Sequence, residues 1–254
     1  MPVRKIPKSY RNVTGLTATE KSDEMTEYES RLEHECQKLL NFNINVLKYE
    51  EQPVTIHYTG NDGTRHRYTP DILIHYRKDV APAKYWKPLL VEVKWRMNLF
   101  KDWQELKPKF LAAKNYARER DLDFAIITDK EVKTPYLTNA TFLLMFRRFP
   151  TIESHSSLLL QALDGFRETD PETLLQSVSE DRDEIAKLLP TLWQLVGNNA
   201  VGVNLDSILT MRSRIWSLRL LDEVKRDESI NQLRTGRSRR LRWQALRYHS
   251  YLEP

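Results

Sequence analysis

The feature that most constrains the fold is a short apolar run, LLVEVK at residues 89–94, which carries charge only at its end. A nearly continuous apolar run of this length is typical of a central strand that is covered on both faces. A second run of the same kind, FAIIT, follows at residues 124–128. Between them, residues 103–120 have helical composition, with Pro108 expected in the first helical turn or at a kink. This alternation of strands with a helix predicts an α/β core.

The segment upstream of these runs predicts one helix followed by strands. Apolar residues recur at helical spacing from Thr26 onward, which predicts an amphipathic helix with these residues on one face: Tyr28, Leu32, Cys36, Leu39 and Leu40. Strand segments are expected at 47–49, at 54–58 and, after the hairpin turn signal at 61–63, at 66–76. Through residue 128 we therefore expect the order helix, three strands, helix, strand.

The pattern changes after Pro150. Helices are expected at 157–166, 171–179 and 181–196, with Asp181 as an N-cap, and two strand-compatible pieces follow at 201–205 and 213–218. Helices followed by a two-stranded ribbon predict a winged-helix-like domain. The predicted organisation is a basic N-terminal arm at 1–20, an α/β domain at 21–150, the winged-helix-like domain at 151–225 and an arginine-rich tail at 226–254.

Charge and composition narrow the possible classes of protein. The net charge is +5, made up of about +6 for residues 1–150, −6 for 151–200 and +5 for 201–254, so two basic regions are candidates for contact with a polyanion. The single cysteine, Cys36, excludes a disulfide framework and is expected to be a small buried hydrophobe. No apolar run reaches 18 residues and the first residues lack a signal core, so we expect a cytoplasmic protein without a membrane span.

A set of charged residues at the ends of two predicted strands suggests a catalytic site. Asp71 follows Pro70, and Glu92 and Lys94 share one strand face because alternate residues of a strand point the same way. If Asp71 lies beside Glu92, the pair forms an oxygen site suited to Mg²⁺, and Lys94 is placed to assist a water that attacks phosphorus. The alternative interpretation is an ordinary ion pair at a strand end.

These residues resemble the PD-(D/E)xK nucleases of the restriction-endonuclease-like fold. More narrowly, residues 10–150 resemble the TnsA family, the endonuclease subunits of heteromeric cut-and-paste transposases, through these motifs in this order: Glu29-Ser30-x-Leu32-Glu33, Tyr49-Glu50-Glu51-Gln52-Pro53, Tyr68-Thr69-Pro70-Asp71, Val91-Glu92-Val93-Lys94 and Phe124-x-Ile126-Ile127-Thr128-Asp129-Lys130-Glu131. The resemblance implies a restriction-endonuclease-like α/β core, here the domain at 21–150, that cleaves DNA.

The resemblance also implies roles for individual residues. Glu33, Asp71 and Glu92 would hold a divalent metal, Mg²⁺ with Mn²⁺ as a substitute, and the carbonyl of Val93 would be a further ligand. Lys94 would position or activate the attacking water. Glu29, one helical turn before Glu33, is the rival helix ligand, and Gln52 is a candidate for contact with DNA or the scissile phosphate.

Family membership would define the partners. The nuclease cuts the strand at the 5′ ends of the transposon, while the DDE transposase TnsB cuts and joins the 3′ ends, and the AAA+ regulator TnsC contacts the C-terminal region. We therefore expect partners in double-stranded DNA, TnsB and TnsC, no membrane, and a bacterial cytoplasmic protein that is nucleoid-associated when bound to DNA. The alternatives are a stand-alone restriction- or repair-type nuclease and a catalytically silent adaptor.

Basic residues near the motif and in the tail are candidates for DNA contact. The candidates are Arg96, Lys101, Lys107, Lys114, Arg237, Arg239 and Arg240. For the lysines of the predicted helix, Lys109 among them, the competing interpretation is an ordinary solvated face. For the arginine-rich tail, the alternatives are a peptide that orders on a protein partner and a disordered tail. Of Trp86, Trp95 and Trp103, we expect at least two to pack in the core.

Overall fold

The computed structural model describes residues 15–17, 26–28, 31–79 and 83–218. The chain divides into two compact units, Met1–Lys133 and Thr134–Pro254. The division falls earlier than the domain boundary expected at 150. Most of the predicted basic arm, Glu29 and the arginine-rich tail with Arg237, Arg239 and Arg240 lie outside the described residues.

The first unit combines strands with helices. Its elements are β1 (Gly15–Thr17), β2 (Thr26–Tyr28), α1 (Arg31–Phe42), β3 (Val46–Glu51), β4 (Ile56–Thr59), β5 (Arg65–Tyr68), β6 (Ile72–Tyr76), β7 (Leu89–Lys94), α2 (Arg96–Lys101), α3 (Trp103–Glu119), β8 (Asp123–Thr128) and α4 (Asp129–Val132). The helix predicted from Thr26 begins only at Arg31, because residues 26–28 pair as β2 with β1. The apolar face of α1 is buried as expected, and Cys36 is fully buried.

The central sheet has the strand order β3-β6-β7-β8. Its β3/β6 and β6/β7 pairs are antiparallel, whereas β7/β8 is parallel. Five residues of β7 are buried and only Lys94 at its end is partly exposed. The LLVEVK run is therefore the doubly covered central strand that its apolar pattern predicted, and it carries its charges to one end of the sheet.

The single strand predicted at 66–76 is wrong, since this segment forms two strands in different sheets. β5 pairs with β4 in a separate hairpin, and β6 joins the central sheet. The break falls at Thr69-Pro70-Asp71, where proline has no N–H to donate to a strand ladder. Between α1 and α2 the described residues thus contain five strands rather than three, and the break places Asp71 immediately before a buried strand.

Pro108 lies in the second turn of α3 and not in its first turn. A proline there cannot donate to the carbonyl of the residue four positions earlier, Gln104. The Asn61 side chain from the β4/β5 turn donates to that carbonyl instead, at 2.8 Å. The hairpin turn therefore compensates for the hydrogen bond that Pro108 removes from the helix.

The second unit is mainly helical. Its elements are α5 (Pro135–Phe146), α6 (Glu153–Phe166), β9 (Glu168–Thr169), α7 (Pro171–Val178), α8 (Arg182–Gly197), β10 (Val201–Val203) and β11 (Ile215–Ser217). The three strands form an antiparallel sheet in the order β10-β11-β9, so the ribbon predicted with two strands has a third. Asp181 caps α8 as predicted, accepting a hydrogen bond from the Asp183 N–H.

Asp170 provides a stability test within this unit. It is the N-cap of α7, and its carboxylate accepts hydrogen bonds from the Thr173 N–H and hydroxyl, each at 2.9 Å. These bonds hold its pKa below the ordinary value. Asp170→Ala is expected to lower the free energy of unfolding by about 1 kcal/mol at pH 7.

The pH dependence of this effect has a defined sign. A carboxylate with a lowered pKa stabilises the folded state above the unfolded-state pKa, and this contribution is lost as the pH falls through the lowered value. Urea unfolding at pH 7 and pH 3 measures the difference. Glu180→Ala, the same charge change at an exposed position, is the control, and equal effects of the two variants at both pH values would contradict the capping role.

Candidate active site

Asp71 is tied by its backbone to strands on both sides of β6. Its N–H donates to the Val91 carbonyl at 3.1 Å, and its carbonyl accepts from the Gln52 N–H at 2.8 Å. Its side chain is fixed as well, because Oδ2 accepts a hydrogen bond from the Val93 N–H at 2.6 Å. The Asp71 carboxylate therefore lies against the end of β7 that carries Glu92 and Lys94.

Glu92 is a buried carboxylate with a partner for each oxygen. Its side chain is 4% exposed. Oε2 accepts from the Tyr68 hydroxyl at 2.7 Å, and Oε1 accepts from the Lys109 ammonium at 2.9 Å. The Lys94 ammonium lies 3.8 Å from the same Oε1. Glu92 and Lys94 therefore lie together, as their shared strand face predicted.

Negative charge is crowded at this end of the sheet. Burial raises the pKa of Asp71 well above its usual range, and the charges of Glu92 and Glu33 raise it further. The hydrogen bond from Val93 and the charge of Lys109 act in the opposite direction. Burial and Glu92 also raise the pKa of Tyr68, so its hydroxyl stays protonated and remains a donor. A cation bound here would relieve the repulsion between the carboxylates.

Asp71 also lines a small pocket. The lining residues are Glu33, Gln37, Glu51, Gln52, Asp71 and Ile72. Gln52 has a positive φ of 45°, an uncommon conformation for a non-glycine residue, and its buried Oε1 has no hydrogen-bond partner. The pocket lining thus includes Glu33 from α1, Asp71, and Gln52 with its unpartnered amide oxygen.

The donors around Asp71 fit a hard divalent cation. Carboxylate and amide oxygens are the ligands that Mg²⁺ prefers, and the unpartnered Gln52 oxygen is the kind of atom that a cation satisfies. Among the described residues, however, no three His, Cys, Asp or Glu side chains are arranged to hold a metal ion. Glu33 and Asp71 share the pocket, whereas both oxygens of Glu92 are engaged by Tyr68 and Lys109.

The residues that come directly after Lys94 in the sequence form an exposed surface. No residue of α2 is buried; Met97 is 81% exposed and Phe100 is 68% exposed. The expectation for the tryptophans is wrong, because Trp86 is buried but Trp95 and Trp103 are substantially exposed. The candidate DNA-contacting residues of the first unit are all exposed: Arg96, Lys101, Lys107 and Lys114.

Two residues that contact Glu92 were not predicted as part of the site. Tyr68 stands in the Tyr-Thr-Pro-Asp motif, but its apolar ring gave no indication that its hydroxyl reaches Glu92. The sequence left Lys109 open between contact with the phosphate backbone and a solvated face, yet its side chain is only 16% exposed. Strand and helix spacing cannot predict that contact, because it depends on how α3 packs across the sheet.

The mixed sheet, with Asp71 and Glu92-x-Lys94 at the adjacent ends of β6 and β7, is that of a nuclease-like α/β protein. Residues 43–129 match the family described as "TnsA-like endonuclease N terminal". This segment is therefore a TnsA-like endonuclease domain, as the motifs predicted, and it includes Gln52, Asp71, Glu92, Lys94 and Lys109. No curated protein matches the chain. None of the helices among the described residues is long and apolar enough to span a membrane.

Proposed function

We propose that this protein is the metal-dependent DNA endonuclease subunit of a heteromeric transposase and cuts the strand at the 5′ ends of the transposon. The observation that carries this proposal is the anchoring of Asp71 beside Glu92 and Lys94, inside a segment that matches a TnsA-like endonuclease domain. The alternative of a surface ion pair is disfavoured because Glu92 is buried and because the Asp71 carboxylate lies near the like charges of Glu92 and Glu33.

Each residue has a role in strand cleavage. Asp71, Glu92, Glu33 and the Val93 carbonyl would hold Mg²⁺ or Mn²⁺, and the ion would supply positive charge beside the scissile phosphate. Val93 N–H keeps the Asp71 carboxylate oriented toward the strand end. Lys94, partly exposed at the end of β7, positions the attacking water and takes part in its deprotonation.

DNA binding is assigned to the exposed basic residues after the motif. Arg96, Lys101, Lys107 and Lys114 lie on α2 and α3, where they would contact the phosphate backbone and fix the register of the duplex. Gln52 is assigned to the pocket beside Asp71, in reach of the scissile phosphate or the metal. Arg237, Arg239 and Arg240 of the tail would add sequence-independent contacts.

The second unit is proposed to be a winged-helix-like module. From α6 onward its order is helix, strand, two helices and two strands, and the three strands form one antiparallel sheet, which supports this assignment. Such folds bind either DNA or protein. The net negative charge of residues 151–200 favours a protein, and a AAA+ regulator of the TnsC type is the proposed partner.

Cleavage of end DNA tests the proposal. The full chain is incubated with transposon-end DNA, with and without its DDE transposase and AAA+ partners, in Mg²⁺, in Mn²⁺ and in EDTA. Nicking at the 5′ ends that needs the divalent cation, and that is lost in Asp71→Ala and Lys94→Ala, is the expected result. Asp79→Ala, at an exposed position paired with Arg77, is the control.

The same assay separates the alternatives. Cleavage by the chain without partners would indicate a stand-alone nuclease of the same fold. Undiminished transposition by Asp71→Ala and Lys94→Ala would indicate an adaptor and would overturn the proposed catalytic role.

A further inference from the structure

Lys109 neutralises Glu92 from a neighbouring helix. Its ammonium donates to Glu92 Oε1 at 2.9 Å and lies 4.6 Å from the centre of the Tyr68 ring and 5.0 Å from that of Phe110. Tyr68 in turn donates to the other carboxylate oxygen. A buried carboxylate is costly without such partners, so Lys109 and Tyr68 together account for the stability of Glu92 in this position.

Lys109 and Lys94 differ in their distance from Glu92 Oε1 and in their exposure. Lys94 stands at the exposed end of β7, 3.8 Å from Glu92 Oε1, whereas Lys109 reaches that oxygen from α3 at hydrogen-bond distance and is less exposed. The charge of Lys109 also acts on Asp71, where it opposes the repulsion from Glu92 and Glu33. Lys109 thus supplies the positive charge that a cation shared by Asp71 and Glu92 would supply.

We propose that Lys109 is the resident counter-cation of the metal site and a positioning residue that competes with the divalent cation for Glu92. Without the metal, the Lys109 ammonium is hydrogen-bonded to Glu92 Oε1. For Glu92 to become a metal ligand, the Lys109 ammonium has to withdraw from that oxygen. The Tyr68 and Phe110 rings, which the ammonium already overlies, would continue to stabilise its charge once it has left that oxygen. This inference rests on the proposed function, since it concerns the same site.

The first test measures metal affinity rather than activity. Mn²⁺ binding to the full chain is followed by calorimetry for the wild type, Lys109→Met, Lys109→Arg and Lys84→Met. Lys84 is the matched control because it is an exposed lysine with no role in the proposed site. Lys109→Met is expected to bind Mn²⁺ about tenfold more tightly, because a like charge beside the ion is removed; Lys84→Met and Lys109→Arg keep the wild-type Kd.

An unchanged or weaker affinity in Lys109→Met overturns the inference, because a residue that only supports the fold or orients Glu92 would not oppose the ion. The proposed function fails in a different way. If the wild type binds no Mn²⁺, or if Asp71→Asn binds it as well as the wild type does, then the metal site assigned to Asp71 is wrong. Binding at Asp71 with an unchanged Kd in Lys109→Met overturns the inference alone.

A second measurement needs no substitution of Lys109. The rate at which an amine-acetylating reagent modifies Lys109 in the wild-type protein is measured by mass spectrometry with and without Mn²⁺, with Lys107 as the internal reference. Release of Lys109 from Glu92 predicts faster acetylation with Mn²⁺, and no change in Asp71→Asn. An equal or slower rate in the wild type with Mn²⁺ overturns the inference, even if Lys109→Met does not fold.

Discussion

Asp71→Asn is expected to lower DNA cleavage by roughly 10²- to 10³-fold or more and to raise the stability of the metal-free protein. Cleavage falls because the variant lacks a charged ligand. Stability rises because the Asp71 charge is partly withdrawn from water and is repelled by Glu92 and Glu33. Asparagine removes that charge and keeps an oxygen that accepts the hydrogen bond from the Val93 N–H.

The pH dependence of this gain follows from the direction of the pKa shift. The Asp71 pKa is raised above its ordinary value of 3.8 in the folded state. Below that value the carboxyl is protonated in both folded and unfolded chains and contributes nothing. As the pH rises toward the raised pKa, the folded state resists ionisation and loses stability relative to the unfolded state. The advantage of Asp71→Asn should therefore grow from acid to neutral pH.

Thermal unfolding of the full chain in EDTA measures this effect. A gain of about 1 kcal/mol raises the unfolding temperature of a domain of this size by roughly 4 °C. Added Mn²⁺ should then stabilise the wild type and not Asp71→Asn, because a ligand stabilises only the state that binds it. Asp79→Asn, at an exposed position, serves as the control. A lower unfolding temperature for Asp71→Asn in EDTA would show that the carboxylate is a structural group.

Gly202→Ala is expected to destabilise the second unit by roughly 3 kcal/mol. Gly202 pairs directly with Trp216 across β10 and β11, and the fully buried indole lies over the glycine. A Cβ at Gly202 would lie 2.6 Å from Trp216 Cδ1 and closer still to Nε1 and Cε2. The indole would therefore have to leave its position in the core.

Gly165→Ala is the matched control for this substitution. Nothing lies within 4 Å of a Cβ at Gly165, which is in α6. Alanine is favoured over glycine in a helix by about 0.5–1 kcal/mol, so the same chemical change should here stabilise the protein. Urea unfolding measures both variants, and amide exchange in β10 and β11 locates the loss. Equal effects of the two substitutions would contradict the proposed overlap with Trp216.

The part of the site that lies within single strands was predictable from the sequence. Glu92 and Lys94 share a face because side chains alternate along a strand, and the apolar residues before them identify a central strand. The Pro70-Asp71 break was visible as a motif, but the strand predicted across it was wrong. Apolar alternation continues through residues 66–76, whereas the backbone changes sheets at Pro70.

Helix α1 and the exposed aromatic residues show which features the local sequence pattern does not predict. The buried face of α1 follows from helical spacing, but its start does not, because residues 26–28 find a strand partner at 15–17. Trp95 and Trp103 are apolar enough for a core, yet they flank α2, which has no buried residue. Burial of such residues is decided by what packs against them, and the local sequence does not contain that information.

The sequence by itself determined the buried strands β7 and β8 of the central sheet, the candidate set Asp71, Glu92 and Lys94, and the resemblance to TnsA that the family match at residues 43–129 confirms. These features depend on residue type and on short-range periodicity. The tertiary structure alone decided that Tyr68 and Lys109 hold Glu92 and that Gln52 shares a pocket with Glu33 and Asp71. Such contacts join residues from different elements, and their energies depend on burial and distance, which arise only when the chain is packed.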